Sequence, residues 1–284
     1  MWFDTHCHLD AAEFDADRDE VVARARASGV DGMLVPAVDA AGFARVAACA
    51  HRYECAYTLG IHPLYVGQAD EGDLDRLREA VRAAMPDPRF VGIGEIGLDH
   101  FDPAADRARQ RRFLEAQLRL AREMQLPVVL HLRRCADELL AALRRAGVAS
   151  GIAHAFNGSE QQAQAYVDHG LRLGFGGAAT YAGSLRIRRL GAWLPASAIV
   201  VETDAPDIPP QWLRIGSAPP RNEPAQLPRI AQELAQLRGM RAEELAAICR
   251  ANAMDALPRL AALFGGGCAP PSPPAAGPVL ASRG

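Results

Sequence analysis

Residues 92–97 read Gly92-Ile93-Gly94-Glu95-Ile96-Gly97 (GIGEIG), and two folds compete for them. The spacing satisfies G-x-G-x-x-G, whose glycines let a strand turn sharply into a helix that meets a dinucleotide pyrophosphate. That reading makes the chain a doubly wound open sheet. In such a turn the third glycine opens the helix. Here Gly97 is followed by Leu98-Asp99-His100-Phe101-Asp102-Pro103, with no helical pattern until about Ala104. The match also begins inside an apolar strand, not after it. The stretch is therefore read as the end of a strand, Phe90–Glu95, that delivers one acid, Glu95, to its C-terminal end.

Seven more β-type runs lie outward from it: Trp2–His6, Gly29–Pro36, Ala56–His62, Pro127–Leu132, Gly151–Phe156, Leu171–Gly176 and Ile199–Asp204. Helical periodicity separates them. In one such segment Phe113, Leu120 and Met124 fall on one side, with Leu114, Leu118 and Ala121 beside them; Ala136–Arg145 and Gln161–His169 are others. Eight βα units predict an α/β chain folded as a (β/α)8 TIM barrel over residues 1–264, with the open sheet as the alternative. Helical patterns at Pro224–Leu237 and Arg241–Leu257 are expected to close the barrel and cover its side. Residues 265–284 are half Gly plus Pro and cannot offset their ordering entropy, so a disordered tail is expected there.

A net charge of −3 over 284 residues sets up no global basic field toward nucleic acid or membrane. A nucleic-acid substrate stays open, because a metal site supplies positive charge locally. All 31 basic residues are arginine. This excludes a Schiff-base lysine, a P-loop lysine and a carbamylated lysine bridging two metals. Six cysteines without a C-x-x-C pair suggest reduced thiols in a cytoplasmic protein. Trp2–His6 reads as a strand and not as the start of a signal peptide, and the C-terminal apolar stretch is broken by Gly and Pro. No membrane segment and no obligate protein partner are expected.

Residues 4–10 read DTHCHLD. A strand's period of two puts His6 and His8 on one face and Cys7 on the other. Two imidazoles at a strand end suit one metal; a solvated pair is the plain alternative. His62 (LGIHP), His131 (VVLHL) and His154 (GIAHAF) also end predicted strands, whereas His51, His100 and His169 are read as solvated. In a βα barrel, strand C-termini converge on one mouth.

Two acids complete the set, Glu95 and Asp204, the latter in VVETDAP. An acid at an apolar strand end is costly unless it is paired or bound to a metal. A turn role before Pro206 is the alternative for Asp204. One division gives one metal His6, His8 and Asp204, and the other His131 and His154, with Glu95 bridging. Without lysine, the bridge must be a carboxylate. Two metals about 3.5–4 Å apart clamp the attacking and leaving oxygens of an in-line displacement. Asp204 then serves as general base as well as ligand, so Asp204 and Glu95 are the predicted catalytic residues.

Taken together, these residues resemble the TatD-related deoxyribonucleases, metal-dependent hydrolases among the amidohydrolase-like barrels. The matching segments are DTHCHLD (4–10), LGIHP (59–63), GEIGLD (94–99), LPVVLHLRR (126–134), IAHAFNGS (152–159) and VETDAP (201–206), and the resemblance covers about residues 1–264. It implies metal histidines at His6, His8, His131 and His154, a bridging Glu95 and a ligand at Asp204. It further implies phosphodiester hydrolysis of DNA with two divalent ions, usually Mg²⁺ or Mn²⁺; the ligand set also suits Zn²⁺. Three places depart from the usual pattern: HLRR (131–134), where a small hydroxyl residue often precedes the arginine, Asn157, where Thr or Ser is common, and 207–224. These departures bear on the substrate and leave the metal set intact.

Three residues are predicted to bind substrate. His62, held extended by Pro63, lies at the mouth. Arg133 follows the His131 strand and can grip a phosphate bidentately, or else cap a helix. Asn222, in RNEP, braces the mouth from the last loop. The basic runs Arg107–Arg112 and Arg186–Arg189 are read as solvated faces. The expected activity is release of nucleotides from single-stranded DNA ends. The alternatives are an amide, ester or lactone hydrolase on the same barrel, and a non-catalytic binding protein, which would have lost ligands.

Overall fold

The computed structural model describes residues 1–214 and 220–265. The predicted tail from residue 266 onward, and part of the 207–224 stretch, lie outside the described residues.

All eight predicted runs form strands: β1 (Trp2–Asp4), β2 (Val30–Pro36), β3 (Ala56–Leu59), β4 (Phe90–Asp99), β5 (Val128–Arg133), β6 (Gly151–Ala153), β7 (Leu171–Phe175) and β8 (Ile199–Val201). They pair in sequence order, each parallel to the next. The ring closes where Thr5 N–H donates to the Val201 carbonyl (3.2 Å) and Asp204 N–H to the His6 carbonyl (2.8 Å). The result is a TIM barrel, and the doubly wound alternative falls away.

Parallel strands buried on both faces read as continuous apolar runs, and every residue of β4 is buried. The helices α1 (Arg18–Ala27), α2 (Phe43–Arg52), α3 (Gly72–Ala84), α4 (Arg107–Glu123), α5 (Ala136–Ala146), α6 (Glu160–Asp168), α7 (Leu185–Trp193) and α8 (Leu227–Arg238) follow, each burying part of its surface. Among the described residues, none is long and apolar enough to cross a membrane.

A second apolar cluster fills the barrel. Phe3, Leu34, Ala56, Val91, Val129, Ile152 and Val200 come from seven different strands, all but Leu34 from the first two residues of their strand. Ala253 and Ala256 of α9 (Ala242–Ala256), Leu257, and Leu260 of α10 (Leu260–Phe264) pack against them. The Arg241–Leu257 pattern was expected on the barrel's side. Instead it floors the barrel at the strands' N-terminal ends, leaving the C-terminal mouth free.

β4 differs from its predicted form. It runs on to Asp99, so Glu95 sits inside the strand and not at its end. From Ile93 to Ile96 the strand takes three steps while β5 takes two, from Val128 to Leu130. Such an irregularity re-aims a side chain, and Glu95 lies within it. The glycines admit β5 closely: a Cβ on Gly94 would fall 2.7 Å from Val129 Cβ, and one on Gly97 1.8 Å from the His131 carbonyl oxygen.

Candidate metal centre

The mouth collects five histidines and, among them, the two acids Glu95 and Asp204. β1 ends at Asp4, so His6 and His8 stand on the chain leaving it, yet they face the same way while Cys7 is fully buried in the helix-side core. His6 Nε2 and His8 Nε2 are 3.3 Å apart. Glu95 Oε2 lies 3.1 Å from His6 Nε2 and 3.6 Å from His8 Nε2; Asp204 Oδ1 lies 3.5 and 3.6 Å from the same two atoms. The other Glu95 oxygen, Oε1, lies 3.1 Å from His131 Nδ1, 3.2 Å from His154 Nε2 and 3.4 Å from His62 Nε2. Glu95 thus turns one oxygen to each of two groups of imidazoles.

This donor set fits divalent metal. Donors around one cation at about 2.0–2.2 Å stand roughly 3–3.6 Å apart, the spacing seen here. Two imidazole nitrogens facing each other at 3.3 Å repel unless a proton or cation lies between them. Three clusters bring their donor atoms within 4.8 Å of one another: His6–His8–Asp204, His6–Glu95–His154 and His62–Glu95–His131. The expected pair His131 and His154 share Glu95 Oε1 but fall in different clusters. His62, expected to touch substrate only, joins the centre.

Electrostatics point the same way. Burial pushes the Glu95 carboxyl up, but the charges of His62, His6 and His154 and the hydrogen bond from His131 hold it well below the usual range. Burial, with His154 stacked 3.8 Å away, drives the His6 imidazole down to about 3. Burial pushes Asp204 up to about 6, against the charges of His154 and His8. Against burial, Asp99 and Glu95 hold the His131 imidazole up, and Glu95 and Asp204 hold His154 well up, so the buried carboxylates draw positive charge to this centre.

Two carboxylates behind these histidines were not singled out from the sequence. Asp99 Oδ2 lies 3.0 Å from His131 Nε2, and its Oδ1 accepts Phe101 N–H at 2.8 Å. Glu202 Oε1 lies 3.6 Å from His154 Nδ1 and accepts Ala155 N–H at 2.5 Å. A carboxylate on the far nitrogen fixes the ring's tautomer and orientation and strengthens the near nitrogen as a ligand. The signal was present: Asp99 is four residues after Glu95 and Glu202 two before Asp204, the even spacing that keeps side chains on one face. His62 differs. Its Nδ1 accepts Leu64 N–H at 3.1 Å, so a neutral ring carries its proton on Nε2, toward Glu95.

The remaining predicted residues separate. Arg133 lines the cleft, its guanidinium carbon 3.5 Å from the Phe101 ring centroid. Asn222 does not reach the cleft. It is fully buried, donates to the Thr203 and Asp207 carbonyls at 2.9 Å each, and braces the last loop from behind. His100, read as solvated, is largely buried and lines the cleft, whereas exposed His51 pairs with Asp87. The cleft has a volume of roughly 1520 Å³. Leu132 and Asn157, both at positions that depart from the usual pattern, line it. Arg134, Ala155, Asp204 and Ile208 have positive φ (60°, 45°, 57° and 41°), so left-handed backbone gathers where strands enter the mouth.

A family model described as TatD related DNase matches residues 3–257. The uncharacterized metal-dependent hydrolase YjjV of Escherichia coli is 38% identical over 247 residues, 86% of this chain and 93% of that one. The 3'-5' ssDNA/RNA exonuclease TatD of Salmonella typhimurium is 37% identical over 255 residues, 88% of this chain and 96% of that one. The crystal structure of E. coli YjjV superposes with a TM-score of 0.85, covering 90% of this chain and 98% of that one.

Proposed function

The chain belongs to the TatD-related DNase family of metal-dependent hydrolases, and from that premise we propose that it is a two-metal phosphodiesterase acting on the ends of single-stranded DNA. The observation that supports this reading is the division of Glu95: Oε2 faces His6 and His8, and Oε1 faces His131 and His154. His6, His8 and Asp204 would hold one cation, His131 and His154 the other, and Glu95 would bridge. Mg²⁺ or Mn²⁺, with Zn²⁺ also suited to the donors, would polarise a phosphoryl oxygen and make water nucleophilic near neutral pH.

The chain's own groups divide the remaining work. Asp204, partly open to the cleft, accepts the proton of the attacking water at its carboxylate. His62 donates Nε2–H to a phosphoryl oxygen, a role its Leu64 hydrogen bond prepares. Arg133 has guanidinium donors to grip a second phosphate. Exonuclease action on single strands is what the TatD relative of S. typhimurium is named for, and it is the activity we assign here.

The test is nucleotide release from a labelled single-stranded oligonucleotide across Mg²⁺, Mn²⁺ and Zn²⁺. Metal-reconstituted wild type should degrade it, and Glu95→Ala and Asp204→Ala should lose about a thousandfold or more in rate. Equal activity in all three proteins would mean a contaminant. Faster turnover of an ester, lactone or amide panel than of any phosphodiester would move the assignment to another bond on the same barrel.

A further inference from the structure

Beside the candidate metal centre lies a group of side chains that metal binding leaves unused. Phe101 follows β4 and is 46% exposed, although large apolar side chains are mostly buried in this protein. Arg133 ends β5 and Arg134 follows it; both are exposed and both lie over the Phe101 ring, their guanidinium carbons 3.5 and 4.6 Å from its centroid. An extended strand would send two consecutive side chains to opposite faces. Arg134 instead adopts φ 60°, a left-handed conformation unfavourable for a residue with a Cβ, and both guanidinium groups reach one ring.

The charges here are free. Among the described residues, neither Arg133 nor Arg134 has a carboxylate within 4.0 Å, whereas Arg45 across the cleft pairs with Asp10 at 3.0 Å. The group is also tied to the centre. Asp99 accepts Phe101 N–H at 2.8 Å through one oxygen and meets His131 Nε2 at 3.0 Å through the other. Phe101, Arg133, Arg134, His131 and Glu95 line one cleft.

We propose that Phe101, Arg133 and Arg134 form a stacking platform for an unpaired nucleobase beside the phosphodiester held at the metal centre. A half-exposed aromatic ring with unpaired guanidinium groups laid over it is the chemistry that binds a single strand: a base stacks on the ring or on a guanidinium plane, and the cations meet the flanking phosphates. A base within a duplex does not offer its face. The proposal rests on the phosphodiesterase reading above and extends it to the substrate's unpaired base.

The test compares two hydrolysis-resistant phosphorothioate strands by fluorescence anisotropy, an oligothymidylate and the same backbone with abasic sites. Phe101→Leu should weaken oligothymidylate binding about ten- to hundredfold and abasic binding less than about threefold. Phe101→Trp should keep wild-type affinity for both. Phe101 is exposed, so these changes leave the core intact, and thermal melts check that they do. An equal drop on both strands, or no drop on either, overturns the platform. Continued cleavage of single-stranded DNA by wild type in that case would leave the phosphodiesterase reading standing. A wild type that neither binds nor cleaves single strands overturns both.

Discussion

Glu202 stands directly behind His154: its Oε1 lies 3.6 Å from His154 Nδ1, while His154 Nε2 faces Glu95 at 3.2 Å. Replacing Glu202 by Gln keeps the shape but removes the negative charge that faces His154 Nδ1. Zn²⁺ affinity should fall about 10–100-fold by isothermal titration, with the Asp99→Asn variant behaving alike at His131. Unchanged affinity in both variants would show that these carboxylates do not act through the histidines.

His62 should separate from the other mouth histidines. Its Nδ1 accepts Leu64 N–H, so a neutral ring presents Nε2–H to the cleft, a donor and not a ligand. His62→Ala should retain wild-type metal content by elemental analysis and lose roughly 10²–10³ in kcat, the cost of an oriented donor. His131→Ala should lose metal. Metal loss from His62→Ala would make His62 a ligand.

Gly97 is the most confined position on β4, since a Cβ there would stand 1.8 Å from the His131 carbonyl oxygen. Gly97→Ala must push β5 away. A destabilisation of at least about 1–3 kcal/mol is expected in urea unfolding, together with weaker metal binding because His131 moves. Unaltered stability would mean that β5 yields freely.

Acid should loosen the last loop before it unfolds the barrel. Arg221 hydrogen-bonds Asp17 at 2.7 Å through two nitrogens and holds its carboxyl down to about 2. A depressed carboxylate contributes stability above its unfolded value of 3.8, and that contribution is lost as pH falls through about 2. The Tm gap between wild type and Asp17→Asn should therefore be present near pH 5 and shrink toward pH 2. A constant gap would assign the effect to shape and not to charge. Asp17 is only partly buried, so the gap will be small.

Strands were legible because a parallel sheet covered on both faces demands apolar runs, and each of the eight runs overlaps a strand. Their ends were not. His6, His62, His154 and Asp204 read as strand-end residues, but the ladder stops at Asp4, Leu59, Ala153 and Val201, where the chain diverges toward the mouth. Glu95 erred the other way, because pairing with β5 carries β4 on to Asp99. Residue types and spacing were enough to collect the mouth histidines. Which nitrogen each presents depends on Asp99, Glu202 and the Leu64 amide, contacts made only by the folded chain. Asn222, read as bracing the mouth from the last loop, is buried against the Thr203 and Asp207 carbonyls, and nothing local in the sequence distinguishes that position from one facing the cleft.

The floor of the barrel carries a consequence for biosynthesis. Phe3 of the first strand packs edge-on against Phe264, ring centroids 5.1 Å apart, and shares its cluster with Leu257 and Leu260. On the ribosome, every mouth histidine has been polymerised about a hundred residues before that floor exists. Until Leu260 emerges, the floor of the barrel's apolar cluster is uncovered, and such surface is what invites aggregation. Contacts between the two ends of a long chain also slow the search for the native state. The interval between translating β6 and translating α10 is therefore when the apolar lower end of the barrel lies uncovered.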